Sequence, residues 1–187
     1  MKDIIFEVYR DSRTVFRIGD IALMAGCEKD ASLRKKLNYY VRVGKLLNPR
    51  KGFYAKSGYN PAELACLLYT PTYISLEYVL QQSGVIFQYD SAITNISYIS
   101  RETEIDSRIF RYRQMKGEIL TNTAGIILNK NNINIATTER ALLDMLYLNK
   151  KFYFDNLHVI NKKALIRLAP VYNSQALIKT VRKVFSL

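Results

Sequence analysis

The chain has 187 residues, 49% of them hydrophobic, with 14 Tyr and 8 Phe, which is the composition of a folded chain and excludes intrinsic disorder. Its 28 Lys and Arg against 16 Asp and Glu give a formal net charge of +12, favouring an anionic partner, either a phosphate backbone or an acidic membrane surface. No apolar run approaches the ~20 residues that cross a bilayer, and Cys27 and Cys66 stand in no spacing that would make a disulfide scaffold or a zinc site. The opening Met1–Glu7 stretch alternates charged and apolar residues, unlike the apolar core of a secretion leader, so a cytoplasmic chain is expected.

Ile18–Ala25 reads as a short helix ending at Gly26, a residue suited to a left-handed C-cap. After a tight turn, Asp30 is the N-cap of a second helix running from Ala31 to about Gly44. At 100° per residue Leu33, Leu37, Tyr40, Val41 and Gly44 fall on one stripe, while Lys35, Asn38, Tyr39 and Arg42 gather opposite, flanked by Ser32 and Arg34. Arg, Lys and Asn on an outward face are the residue types that read guanine and adenine edges in a major groove. The surrounding 26 positions, Ala31 to Lys56, hold eight Lys or Arg and no Asp or Glu. Lys45-Leu46-Leu47 and Phe53-Tyr54-Ala55 follow as short strands, joined by Asn48-Pro49-Arg50-Lys51-Gly52 with its turn chemistry. Helix, turn, basic helix and a hairpin with a basic tip spell a winged helix-turn-helix, with Arg50 and Lys51 over a phosphate backbone.

Gly58-Tyr59-Asn60-Pro61 punctuates the chain, so residues 1–58 are expected to form the DNA-binding domain and residues 59–187 a second one. Asn60 and Pro61 open a helix through Tyr69 that is nearly apolar all round and must be buried. Thr70-Pro71 stops it, and Ser75 starts another helix that ends at Gly84, with Ser75 and Glu77 capping and charging its first turn. Between Ala92 and Ala136 the period changes to two: Ile96, Tyr98 and Ser100 alternate with their neighbours, as do Phe110 and Tyr112 with Arg111 and Arg113. Ala124–Leu128 meets Ile133 and Ile135 across the turn Asn129–Asn132, and an antiparallel sheet of three to five strands is expected. Helices return at the Thr137 cap and run through Leu148, with two more at Lys162–Leu168 and Ser174–Phe185. The class is therefore α+β, a winged helix followed by a mixed helix and antiparallel-sheet domain.

Three stretches carry a resemblance. Asp20-Ile21-Ala22, Leu37, Val43-Gly44-Lys45-Leu46 and Lys51-Gly52-Phe53-Tyr54 resemble the winged-helix domain of the AbiEi family of antitoxins from bacterial type IV toxin–antitoxin systems. Pro71–Leu80 with Gly84-Val85-Ile86, and Ala136–Asp144, resemble two segments of the same family, with Thr138 standing where proline is usual. The resemblance covers about Asp20 to Leu148 and implies a transcriptional autorepressor. It also implies a partner toxin of nucleotidyltransferase type, neutralised without a stable complex.

Other polar groups have plainer readings. Arg140 and Asp144, at i and i+4, make either an exposed pair or a buried carboxylate that needs its arginine. Glu102, Glu104, Asp106 and Lys116 are the only set that could serve a metal-dependent nuclease, against the simpler solvated hairpin. His158 has no chemistry around it, and Lys179, Arg182 and Lys183 are solubilising charge on the last helix. The expectation is a non-enzymatic chain without cofactor or metal. It would bind duplex DNA at its own promoter through Ser32, Arg34, Lys35, Asn38, Tyr39, Arg42, Arg50 and Lys51, a nuclease or a protein-interaction adaptor being the alternatives.

Overall fold

The computed structural model describes residues 3–129 and 131–185. Met1 and Lys2 of the opening stretch, Lys130 of the Asn129–Asn132 turn, Ser186 and Leu187 lie outside the described residues. Asp3 accepts the Ile5 N–H at 2.9 Å and starts α1, Ile4–Arg10, which buries Ile4 and Val8. β1, Val15–Arg17, leads into α2, Ile18–Ala25, where the Asp20 carboxylate accepts the Arg17 N–H at 2.9 Å. Gly26 ends α2 at φ 62°, the left-handed conformation expected of it. Asp30 accepts the Leu33 N–H at 2.8 Å and opens α3, Ala31–Arg42. Two further strands, β2 (Leu47–Arg50) and β3 (Phe53–Ala55), complete an antiparallel sheet in the order β1-β3-β2.

The hairpin departs from its expected register. The N–H groups of Lys45 and Leu46 both donate to the Tyr40 carbonyl, at 2.9 and 3.2 Å, so these residues finish the helix and do not start the strand. Asn48-Pro49-Arg50, expected in the turn, lies within β2. The Asn48 side-chain amide donates to the Arg50 and Phe53 carbonyls, at 3.0 and 2.6 Å, where the register slips between Leu47 and Arg50. An edge strand accommodates Pro49, which has no N–H to lose. The turn itself is only Lys51-Gly52, with Gly52 at φ 85°.

The rest of the chain winds around a six-stranded sheet. In order come α4 (Pro61–Leu68), β4 (Thr72–Ile74), α5 (Leu76–Gln82), β5 (Ile93–Ser97), β6 (Arg101–Ile105), β7 (Arg108–Gln114) and α6 (Gly117–Thr121). Then follow β8 (Ile126–Leu128), β9 (Asn134–Ala136), α7 (Thr138–Leu148), α8 (Lys162–Leu168), a 3-10 turn (Ala169–Tyr172) and α9 (Gln175–Phe185). The strand order is β6-β7-β5-β4-β9-β8, and the β5–β7 and β4–β9 pairs are parallel. The sheet is thus mixed, not antiparallel throughout, and has one strand more than expected. Period-two alternation assigns side chains to faces but says nothing of which strand lies alongside. β5 is buried at all five positions, as a central strand covered on both faces must be. β6 and β7 form a hairpin across Asp106 and Ser107, both at positive φ (51° and 60°), the twist a two-residue turn requires.

Two apolar cores result. Phe16, Ile21, Leu37 and Leu46 belong to the first, under α1–α3 and the small sheet. Ile74, Leu80, Phe110, Leu142 and Leu165 belong to the second, which also takes in Val15 and Ala55 from the small sheet. Buried Glu63 on α4 stitches them together, accepting the Thr14 and Val15 N–H groups at 2.6 and 3.1 Å and the Asn131 side-chain amide at 2.9 Å. Among the described residues no helix is long and apolar enough to cross a membrane.

Candidate nucleic-acid interface

α3 is amphipathic for a reason visible in its spacing: Leu33 and Leu37 are buried one turn apart, and Tyr40 and Val41 pack beside them. The opposite face carries Ser32, Arg34, Lys35, Asn38, Tyr39 and Arg42, all exposed. Arg42 lies over the Tyr39 ring at 5.6 Å, which holds the guanidinium near the helix without neutralising it. Lys35, Asn38, Tyr39 and Arg42 line a shallow depression of about 270 Å³.

A deeper groove of about 470 Å³ runs between α3 and the hairpin. Arg34 and Asn38 form its helix wall, Asn48, Lys51 and Gly52 its hairpin wall, and Tyr54 its floor. Burial pushes the Tyr54 phenol above its ordinary range, and the Arg34 charge partly offsets the shift. Lys29, at the turn before α3, adds a cation to the rim that the helical projection could not include because it precedes the helix. Among the described residues Arg34, Lys35, Arg42 and Lys51 make no ion pair. A groove with uncompensated long donors on both walls is suited to polyanions.

Of the eight expected contact residues, seven share this exposed surface. Arg50 is the exception. Its Nη1 donates to the Tyr69 hydroxyl at 3.0 Å and its guanidinium stacks over that ring at 5.4 Å. It is not at the tip, because β2 extends through it and a strand residue projects from the sheet face rather than from the turn. Arg17 and Arg101 also converge on this corner: Arg17 Nη2 donates to Thr70 Oγ1 at 2.8 Å, and Arg101 stacks over Tyr69 at 5.9 Å. Both were missed, since their proximity is created by packing across more than 30 residues of chain.

The other polar sets resolve differently. Arg140 and Asp144 are both fully buried on α7, with Arg140 Nε 3.4 Å from Asp144 Oδ1, so the exposed-pair alternative is removed. Tyr172 and Tyr73 donate to Asp144 Oδ1 at 2.6 and 3.1 Å, and Ser75 Oγ donates to Oδ2 at 2.7 Å. Ser75 therefore sits at the start of α5 without capping it through its hydroxyl, contrary to the expected role. Arg140 donates to the Ile119 and Ala124 carbonyls at 2.7 and 3.0 Å. Burial pushes the Asp144 carboxyl up from its ordinary range, opposed by the Arg140 charge and the three hydroxyls. Both carboxylate oxygens are hydrogen-bonded from within the fold, and Arg140 Nε faces Oδ1 without a hydrogen bond of its own, so this is a structural knot.

The acidic set on the hairpin is dispersed. Glu102 accepts from Arg111 Nε at 2.7 Å and Asp106 from the Tyr59 hydroxyl at 2.7 Å. No group of three or more His, Cys, Asp or Glu among the described residues could hold a metal ion. His158 is exposed in a turn. Lys179, Arg182 and Lys183 are exposed on α9, opposite buried Leu177, Val181 and Phe185.

No protein-family model matches the chain, and neither does any curated protein. Among solved structures, the crystal structure of the RV2827C protein from Mycobacterium tuberculosis is similar, with a TM-score of 0.57 at 14% identity. The similarity covers 98% of this chain and 75% of that one, so the arrangement of the α+β fold recurs over nearly the full length described.

Proposed function

We propose that the chain binds duplex DNA through α3 and the β2–β3 hairpin, as an autorepressor of its own promoter. The order α1-β1-α2-α3-β2-β3 supports reading this region as a winged helix-turn-helix, in which α3 would enter the major groove and the hairpin would be the wing. One observation carries the reading: the outward face of α3 and the hairpin wall meet in a groove that, among the described residues, is lined by no acid and whose cations make no ion pair. Asn38 and Arg42 would address base edges, and Lys51 would hold a phosphate.

The decisive measurement is the salt dependence of binding to a duplex. With about six phosphates neutralised, log K against log salt falls with a slope near −5. A slope near zero, or failure to retard any duplex at low salt, would falsify the proposal.

The antitoxin role rests on the AbiEi resemblance alone. On that reading the larger module counteracts a nucleotidyltransferase-type toxin encoded alongside, in the cytoplasm, without a stable complex and without catalysis of its own. Growth rescued when the two genes are expressed together, with no co-purification of the pair, is the expected outcome. Toxicity undiminished by this chain removes the antitoxin role and leaves the DNA reading untouched.

A further inference from the structure

Three arginines from three separate strands meet at the seam between the small sheet and the larger module, and among the described residues no carboxylate pairs with them. In the small sheet Arg17 and Arg50 both stand opposite Phe53, one on each flanking strand. Directly opposed residues share a face, so Arg17, Phe53 and Arg50 form one row across the sheet, with the arginines about 10 Å apart at two strand spacings. That face turns toward Tyr69 and Thr70: Arg50 bonds and stacks on Tyr69, and Arg17 donates to Thr70 Oγ1 and the Leu67 carbonyl. From the larger module Arg101, the first residue of β6, stacks on the same Tyr69 ring. Tyr69 is itself fixed, buried edge-on against Tyr112 at 4.7 Å.

Aromatic stacking positions the Arg50 and Arg101 guanidiniums, and hydrogen bonds position that of Arg17, while leaving their charge uncancelled. Among the described residues none of the three makes an ion pair, whereas Arg13, Arg111 and Arg140 each have a carboxylate within 3.4 Å. Held like charges without a counter-charge are repulsive unless an anion lies between or above them. Arg50 adjoins Lys51 of the groove, so the cluster continues the basic surface of α3 and the hairpin onto the larger module.

The geometry points to a phosphate clamp at this seam, in which Arg101 of the larger module joins Arg50 and Arg17 on the DNA backbone beside the wing. The inference rests on the DNA-binding reading and extends it: the second module is part of the footprint, holding phosphate without reading sequence. Arg101 is the residue to test, because it is exposed and its side chain makes no ion pair among the described residues, resting on a ring face, so its truncation is expected to leave the fold intact.

Binding of the full chain to a cognate and a random duplex is followed across a salt series for wild type, Arg101→Ala and Arg101→Lys. Arg101→Ala is expected to reduce the salt slope by about 1 and to weaken both duplexes by the same factor. Arg101→Lys, which keeps the charge, is expected to retain the wild-type slope. A wild-type slope near −5 that Arg101→Ala leaves unchanged overturns the clamp while sparing the α3 reading. A loss confined to the cognate duplex assigns Arg101 to base recognition and also overturns it, and a wild-type chain that binds no duplex overturns both.

Discussion

Arginine is used in two opposite ways in this molecule. Arg42 on α3 and Arg50 and Arg101 at the small-sheet seam are exposed or half-exposed, rest on aromatic rings and, among the described residues, make no ion pair. On α7, Arg140 has no solvent exposure, stacks between Tyr73 and Tyr172 at 5.4 and 5.2 Å, and faces Asp144. The first arrangement keeps charge available to an outside partner. The second consumes it within the fold, because a guanidinium removed from water must be matched by a counter-charge and by acceptors for its N–H groups. Solvent exposure together with pairing therefore separates the arginines that serve the fold from those free to serve a ligand.

The largest effect should come from the buried side of this comparison. Asp144→Ala leaves the Arg140 charge without its counter-ion and the Tyr73, Ser75 and Tyr172 hydroxyls without their carboxylate acceptor. The expected loss of unfolding free energy is about 3–5 kcal/mol, read from urea or guanidinium denaturation. A loss below about 1 kcal/mol would mean that water replaces the carboxylate and that the pair is not a structural knot. Replacing both residues by apolar side chains of similar volume should cost less than the single change, because no orphaned charge remains.

The exposed side predicts the reverse pattern, with binding lost and stability kept. Arg42→Ala or Asn38→Ala is expected to cost about 1–3 kcal/mol of binding at one base pair, leaving thermal unfolding unchanged. Lys51→Ala should weaken cognate and random DNA equally. Equal losses on both DNAs from all three substitutions would show that α3 contacts the backbone only. Between the two extremes stands Glu63, whose carboxylate is buried yet bonded to backbone N–H groups of the other module. Glu63→Ala strands the Thr14 and Val15 N–H groups, and a stability loss of about 1–3 kcal/mol is expected. Proteolysis near residues 56–60 should rise with it, since the stitch between the two cores is lost. Unchanged protection there would place the coupling elsewhere, in the shared packing of Val15 and Ala55.

The same comparison explains what was legible beforehand. The exposed basic face could be read because both its signals are local: Leu33 and Leu37 at helical spacing bury one side, and Asp30 and Gly26 fix where the helices begin and end. Asn60 and Thr137 announced α4 and α7 in the same way, through side chains that cap a residue two or three positions on. What stayed hidden was non-local. β1 and β4, three residues each, are too short to show a period. The parallel β5–β7 and β4–β9 pairs depend on chain crossovers, and alternation of apolar residues is the same for either strand direction. Ser75 looked like a cap because nothing in its neighbourhood reveals that Asp144 lies within reach 69 residues later. Arg50 looked like a tip residue because the Asn48 amide, by bonding two carbonyls, extends the strand past a proline that local rules assign to the turn.

The smallest effect concerns acid, and there the half-buried and fully buried carboxylates act with opposite sign. Asp11 is held below the ordinary carboxylate range chiefly by its two-point pairing with Arg13, at 3.0 and 2.7 Å. Asp90 ends below it too: burial raises its carboxyl, but the Ala92 N–H and Arg111 outweigh that. For both groups the unfolded chain takes up protons before the native one does, so their stabilisation is complete above the unfolded value of about 3.9 and is lost as pH falls through the lower native value. Asp144 is shifted up, so its native form takes up a proton first, and its contribution grows as pH falls instead of shrinking. Wild type should accordingly lose stability below about pH 4, and Asp11→Asn should lose it less steeply over that window while starting from a lower value at pH 7. An acid slope identical in Asp11→Asn and wild type would mean that Asp11 titrates alike folded and unfolded, and that its bond to Arg13 does not outlast competition from water.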